Sequence, residues 1–269
     1  MDNQPAITDQ EFARFRDLIY DIAGIQLSDA KKVLLVGRLT RRLKHYGMGS
    51  FSQYYKLVTS SQEGGELQKM VDLLTTNETY FFREPKHFEY LVQEVLPKVP
   101  HKAPFAVWSA ACSSGEEPYT LAMVLAEHLT RSPWQVVGSD ISTAVLARAR
   151  AGHYPLERTE GIPPAYLKKY CLKGVRSQEG TLLVSQELRQ KVSFQQVNLT
   201  VPVPNLGPFD VIFLRNVMIY FDMETKQKVV DNLVTRLKPG GLFIVGHSES
   251  LNGITDRLKN LRPTIYQKP

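Results

Sequence analysis

The chain has 269 residues, 43% apolar and 22% charged, with a formal net charge of +6. That length allows one large domain and one small one, and the composition is that of an ordinary soluble globular protein. No run of eighteen apolar residues occurs, Met1-Asp2-Asn3-Gln4 has no signal-peptide character, and Cys112 and Cys171 have neither disulfide nor metal-ligand spacing, so a cytoplasmic, reduced, metal-free protein with no membrane insertion is expected.

Residues 8–98 read as helical. Thr8-Asp9-Gln10-Glu11 has the capping-box pattern and opens a helix through about Ala23. A second helix runs from about Asp29 to Tyr46, and others lie near Ser50–Thr59, Glu66–Leu74 and Lys86–Leu96. Pro97, Pro100 and Pro104 mark a linker, which divides a helical domain of residues 1–98 from a second domain of residues 99–269. Beyond it, short apolar runs at Phe105–Ser109, Gln135–Ser139, Val192–Val197, Asp210–Leu214 and Leu242–Val245 alternate with helical segments Glu117–Leu129, Ala144–Arg150 and Thr225–Leu237. This alternation predicts an α/β domain with a parallel, doubly wound sheet. Residues 168–190 break the alternation and read as a small antiparallel insertion, and Pro263–Gln267 reads as a final edge strand.

Ligands of such a sheet bind at the carboxyl ends of its strands. The first strand leads into Ala110-Ala111-Cys112-Ser113-Ser114-Gly115, small residues that let a ligand lie close to the backbone. The dinucleotide fingerprint Gly-x-Gly-x-x-Gly is absent, and Glu116 and Glu117 occupy the helix start where a pyrophosphate would need to sit. Two carboxylates there suit a cationic, hydroxyl-rich ligand such as S-adenosylmethionine, although acids at a helix start also simply complement the helix dipole. Asp140, at the end of the second strand, stands where a nucleotide fold grips ribose hydroxyls; it is also placed to cap the helix beginning near Ser142. Lys238-Pro239-Gly240-Gly241 resembles the turn before the fifth strand of class I methyltransferases.

Four blocks carry a more specific resemblance. Asn77-Glu78-Thr79-Tyr80-Phe81-Phe82-Arg83-Glu84, Trp108 through Tyr119, Arg215-Asn216-Val217-Met218-Ile219-Tyr220-Phe221-Asp222 and Gly246-His247-Ser248-Glu249-Ser250 resemble, in order and spacing, the signature blocks of the CheR family of chemotaxis receptor methyltransferases. The resemblance implies an all-helical N-terminal domain, a class I (Rossmann-like) methyltransferase domain and an antiparallel β-subdomain inserted in it. It implies transfer of a methyl group from S-adenosylmethionine to glutamate carboxylates in the cytoplasmic domain of methyl-accepting chemoreceptors, leaving S-adenosylhomocysteine and a methyl ester. Recruitment to membrane receptor arrays through those receptors follows. Matched to the family's cofactor contacts are Asn77, Thr79, Arg83, Glu117, Asp140, Asn198, Leu199, Leu214 and Arg215. Tyr220 matches a tyrosine placed beside the reacting methyl group, and Arg83, implied to hold the cofactor's carboxylate, is taken with it as catalytic. The chemistry needs no strong base, since a glutamate side chain is already ionised near neutral pH. One departure concerns the insertion: the family turn associated with docking a receptor's C-terminal tether is Gly-x-Gly, whereas this chain has Gly174-Val175-Arg176.

No acidic residue occurs between Asp29 and Glu63, while Lys31, Arg38, Arg41 and Arg42 fall inside this stretch. On a helical wheel Lys31, Arg38 and Arg42 share one face, flanked by Arg41, and are expected to bind the acidic receptor substrate with no nearby acid to neutralise them. The same face would suit nucleic acid. A nucleic-acid amino-methyltransferase, however, shows an Asp/Asn-Pro-Pro-aromatic motif where this chain has Leu214-Arg215-Asn216-Val217, so no nucleic-acid partner is expected. A non-catalytic adaptor that senses S-adenosylmethionine is the third reading, and the presence of Arg83, Asp140 and Tyr220 argues against it.

Overall fold

The computed structural model describes residues 6–60 and 65–269, so the reading of Met1-Asp2-Asn3-Gln4 lies outside the described residues. Helix α1 (Asp9–Ala23) opens on the expected capping box, with Thr8 and Glu11 exchanging side-chain and backbone hydrogen bonds. A 3-10 turn (Asp29–Lys31) leads into α2 (Lys32–His45), followed by α3 (Phe51–Thr59) and α4 (Glu66–Leu74). Phe15, Ile19, Leu35, Leu39, Tyr54 and Met70 recur at helical spacing and meet in one core. Helix α5 (Lys86–Tyr90) continues through a π turn and a 3-10 turn to Lys98. It packs differently: Phe88, Leu91 and Leu96 join the core of the α/β region rather than that of the first four helices.

The strands are β1 (Phe105–Ala110), β2 (Trp134–Asp140), β3 (His153–Pro155), β4 (Cys171–Lys173), β5 (Thr181–Val184), β6 (Val192–Gln196), β7 (Phe209–Leu214), β8 (Leu237–Val245), β9 (Lys259–Arg262) and β10 (Ile265–Gln267). Between them run α6 (Glu116–His128), α7 (Thr143–Ala151), α8 (Pro164–Tyr170), α9 (Gln186–Arg189) and α10 (Met223–Val234). Seven strands form one sheet in the order β6-β2-β1-β7-β8-β10-β9, parallel from β6 to β8 and antiparallel beyond. Successive side chains alternate between two buried faces: Val107, Phe213 and Ile244 enter one core, Trp108, Ile212 and Phe243 the other. Burial on both sides is why these strands read as continuous apolar runs, each fully buried large side chain contributing roughly 1.5–3 kcal/mol. The fold class expected from the sequence is the one observed.

Two details differ. The small sheet, in order β3-β5-β4, takes its first strand from His153–Pro155, upstream of the expected insertion at 168–190. Three residues with two exposed side chains are too short a pattern to read. The last strand is not at the edge either. Ile265 and Tyr266 are buried because β10 lies between β8 and β9, and the edge is Lys-Asn-Leu-Arg at 259–262, exposed throughout and without alternation. Among the described residues no helix is long and apolar enough to cross a membrane.

Candidate active site

One cavity opens where β1, β2 and β7 end and the helical region closes over them. Its floor is Ala111-Cys112-Ser113, with Ala111 and Ser113 in the left-handed region (φ 60° and 51°). That turn is held by Asp140, whose Oδ2 accepts from the Ser113 N–H and Oδ1 from the Ser142 N–H, both at 2.9 Å. The cap of α7 is Ser142, not Asp140. Burial pushes the Asp140 carboxyl up, and those backbone N–H groups oppose the shift.

The opposite wall comes from the segment joining α4 to α5. Asn77 donates to Thr75 Oγ1 at 3.1 Å and its carbonyl accepts from Ser113 Oγ at 2.9 Å. The Thr79 carbonyl accepts from Arg158 at 2.9 Å, and Arg158 also pairs with the buried Glu116 at 2.9 Å. Glu116 is thus a structural acid, whereas Glu117 lines the cavity. Arg83 donates to the Glu78 carbonyl at 3.0 Å and lies over the Tyr80 ring at 5.6 Å. At the base, Arg215 bridges two carboxylates, with Nη1 to Glu117 Oε2 and Nη2 to Glu84 Oε2, both 2.8 Å. Burial would raise the Glu84 carboxyl, but Arg215, Asn216 and the His247 N–H together hold it at about 2.

Asn77, Thr79, Arg83, Glu117, Asp140, Asn198, Leu199, Arg215 and Tyr220 all line this cavity. Leu214 does not: it ends β7 fully buried in the sheet core, one position before Arg215. Asn198 holds the helical region in place, donating to the Ile22 carbonyl at 2.6 Å while its Oδ1 accepts from Thr200. On the other side Tyr20 donates to Asp222 at 2.6 Å, and the Gln26 N–H donates to the Tyr220 carbonyl at 2.9 Å. Asp72 of α4 accepts from the Thr143 N–H and hydroxyl, both 2.8 Å, at the start of α7.

The cavity's polar lining fits S-adenosylmethionine better than a nucleotide polyphosphate. At the strand ends Glu117 and Asp140 present carboxylate oxygens, acceptors suited to ammonium and ribose hydroxyls, where a pyrophosphate would need donors. Each Asp140 oxygen already takes one backbone N–H and keeps a lone pair for a ribose hydroxyl.

The basic helix departs from expectation. Arg42 faces Glu66 of α4 and is neutralised by it, so the face is not free of internal acids. The nearest acid along the sequence is not the nearest in space, and folding α4 against α2 brings Glu66 across. Arg38 donates to the carbonyls of Leu74 and Thr75, both at 3.0 Å, and lines the cavity with Lys31. Burial depresses its pKa. Charge reversal at Arg38 would therefore disturb the cavity wall as well as the basic face. Arg41 and Lys31 are exposed and have no ionic partner among the described residues. Sequence reasoning missed Glu84, Asp72 and Glu249, which act through groups remote in sequence.

Two family models cover the chain: the all-alpha domain of CheR methyltransferase over residues 10–75, and the SAM binding domain of CheR methyltransferase over residues 77–267. The chemotaxis protein methyltransferase of Escherichia coli (strain K12) is 42% identical over 99% of this chain and 93% of its own length. That of Salmonella typhimurium is 40% identical over 99% of this chain and 92% of its own. Chemotaxis protein methyltransferase 2 of Pseudomonas aeruginosa is 41% identical, covering 96% and 93%.

Proposed function

The chain belongs to the CheR methyltransferase family and is an S-adenosylmethionine-dependent methyltransferase, and from that premise we propose that it esterifies glutamate side chains in the cytoplasmic domain of chemoreceptors. The observation that carries this reading is a single cavity whose lining brings together Asp140, Glu117, Arg215, Arg83 and Tyr220. Lys31 and Arg38 line it from the helical side.

Bound there, the cofactor supplies an activated methyl group. The protein's own work is alignment and exclusion of water. Asp140 takes the ribose, and Arg83, with one terminal nitrogen held by the Glu78 carbonyl, keeps N–H groups for a carboxylate. Glu117 takes the ammonium group while Arg215 fixes its orientation. Tyr220, half-buried at the cavity wall, orients the acceptor carboxylate, which needs no deprotonation near neutral pH. Lys31 and Arg41 supply the positive edge for an acidic receptor segment. Binding to receptors would in turn bring the protein to their membrane arrays.

The test is incubation with methyl-labelled cofactor and a receptor cytoplasmic fragment, with DNA and RNA as parallel acceptors. Label recovered as base-labile ester on the fragment is the expected result. Label on nucleic acid, or none on the fragment, rejects the acceptor.

A further inference from the structure

The block Gly246 to Ser250 supplies the His247 N–H to Glu84, and it also holds a second, buried carboxylate with an unusual set of partners. Glu249 accepts three backbone N–H groups: Asn216 and Gly246 at Oε2 and Met218 at Oε1, each at 2.8 Å. It is 9% exposed and has no cationic partner among the described residues. A buried anion without a counter-ion is costly unless hydrogen bonds compensate it, and here backbone amides supply all of those bonds.

Those amides belong to two segments. Gly246 follows β8, while Asn216 and Met218 sit in the loop after β7, between Arg215 and Tyr220. Met218 opens the 3-10 turn Met218–Tyr220, so Glu249 takes an N–H that the turn leaves unpaired. Asn216 is in the left-handed region at φ 58°. The clip also explains Gly246, since a Cβ there would lie 2.6 Å from Asn216 Nδ2 and 2.8 Å from Glu249 Oε2. Two oxygens spanning three amides need a full carboxylate. A Gln amide would turn an N–H group toward an N–H group at one end.

The geometry points to Glu249 as a positioning residue for methyl transfer, clipping the loop after β7 to the end of β8 so that the turn carrying Tyr220 is held in its reactive pose. From the other side, the Gln26 N–H holds the Tyr220 carbonyl, so the turn is gripped by both the sheet and the helical region. This inference rests on the reading of Tyr220 as the residue that orients the acceptor.

The test is Glu249→Gln, measured for turnover on the receptor fragment and for S-adenosylmethionine affinity by calorimetry. Turnover should fall roughly tenfold to a hundredfold, as misplacing a reacting group by about an ångström does. Cofactor affinity should change by less than about threefold, and this binding also certifies that the variant is folded. The double variant Glu249→Gln/Tyr220→Phe should be no slower than Tyr220→Phe alone, since both act on one group. Should Glu249→Gln fail to fold, Glu249→Asp, whose shorter arm cannot span both segments, is expected to show the same split. Normal turnover in the Glu249 variant, joint loss of turnover and cofactor affinity, or additive losses in the double variant would overturn the inference. Tyr220→Phe alone separates the two readings. If it is slow while Glu249→Gln is normal, only the clip is rejected, and if it keeps wild-type turnover, the role of Tyr220 falls and the clip's purpose with it.

Discussion

Arg42 and Glu66 meet side-on across α2 and α4, with Nε to Oε1 and Nη2 to Oε2 both at 2.7 Å. The Glu66 side chain is 1% exposed and also accepts from the Tyr54 and Tyr46 hydroxyls at 2.8 and 2.9 Å. Burial alone would raise its carboxyl, but Arg42 and the two hydroxyls bring it below the usual range. A residue that looks like a solvent-facing base is thus the counter-ion of a buried acid, joining three helices.

Arg42→Ala should therefore act on stability rather than on docking. Removing Arg42 leaves the buried Glu66 with two hydroxyl donors and only the distant, largely exposed Lys69 ammonium at 3.8 Å, a loss of about 3 kcal/mol. Chemical denaturation would measure it, and a variant within about 0.5 kcal/mol of wild type would contradict the structural role.

Arg38 and Arg41, three residues apart, should separate cofactor binding from receptor binding. Arg38→Ala frees the carbonyls of Leu74 and Thr75 beside Asn77, and should weaken S-adenosylmethionine binding several-fold. Arg41→Glu should leave that affinity alone and raise the apparent KM for the receptor fragment, with the difference shrinking as salt is added. Receptor kinetics of Arg41→Glu that match wild type across a salt series would make Arg41 an ordinary solvated base.

Asp140→Ala removes both the proposed ribose acceptor and the tie between the turns after β1 and β2. Cofactor affinity should drop at least tenfold, about 1.4 kcal/mol or more. Calorimetry returning an unchanged Kd would take Asp140 out of the site.

His87 gives a pH signature. It is buried with Nε2 2.8 Å from Thr264 Oγ1, and burial, then the charge of Arg215, pushes its pKa from 6.5 down to about 3. The folded value lies below the unfolded one, so the unfolded chain binds the extra proton in between. Its stabilising contribution is complete above pH 6.5 and is lost as pH falls toward 3. The slope approaches about 1.4 kcal/mol per pH unit. Glu84, held at about 2 against an ordinary 4.5, adds its own loss only below that ordinary value. Denaturation of wild type and His87→Gln between about pH 5 and 6.5 isolates the histidine, and the variant should have the flatter profile. Parallel profiles would contradict this assignment.

The helices of the N-terminal region and the parallel strands were legible because their signals are local. A capping box at Thr8 to Glu11, apolar residues at helical spacing in α2, and short, mostly apolar runs in β1 and β7 are each readable in place. The small residues after β1 and the acid ending β2 were readable for the same reason, since strand ends define the ligand crevice of this topology. What a side chain faces was decided only by tertiary structure. Arg42 meets Glu66 24 residues away, and Arg215 meets Glu117 and Glu84 across 98 and 131 residues. The sequence placed Arg38 and Arg42 on one helical face correctly, but packing turned that face toward α4 and the cavity. Charge along a chain sets what can be paired, while the screening and desolvation that decide what is paired depend on distances only the folded chain possesses.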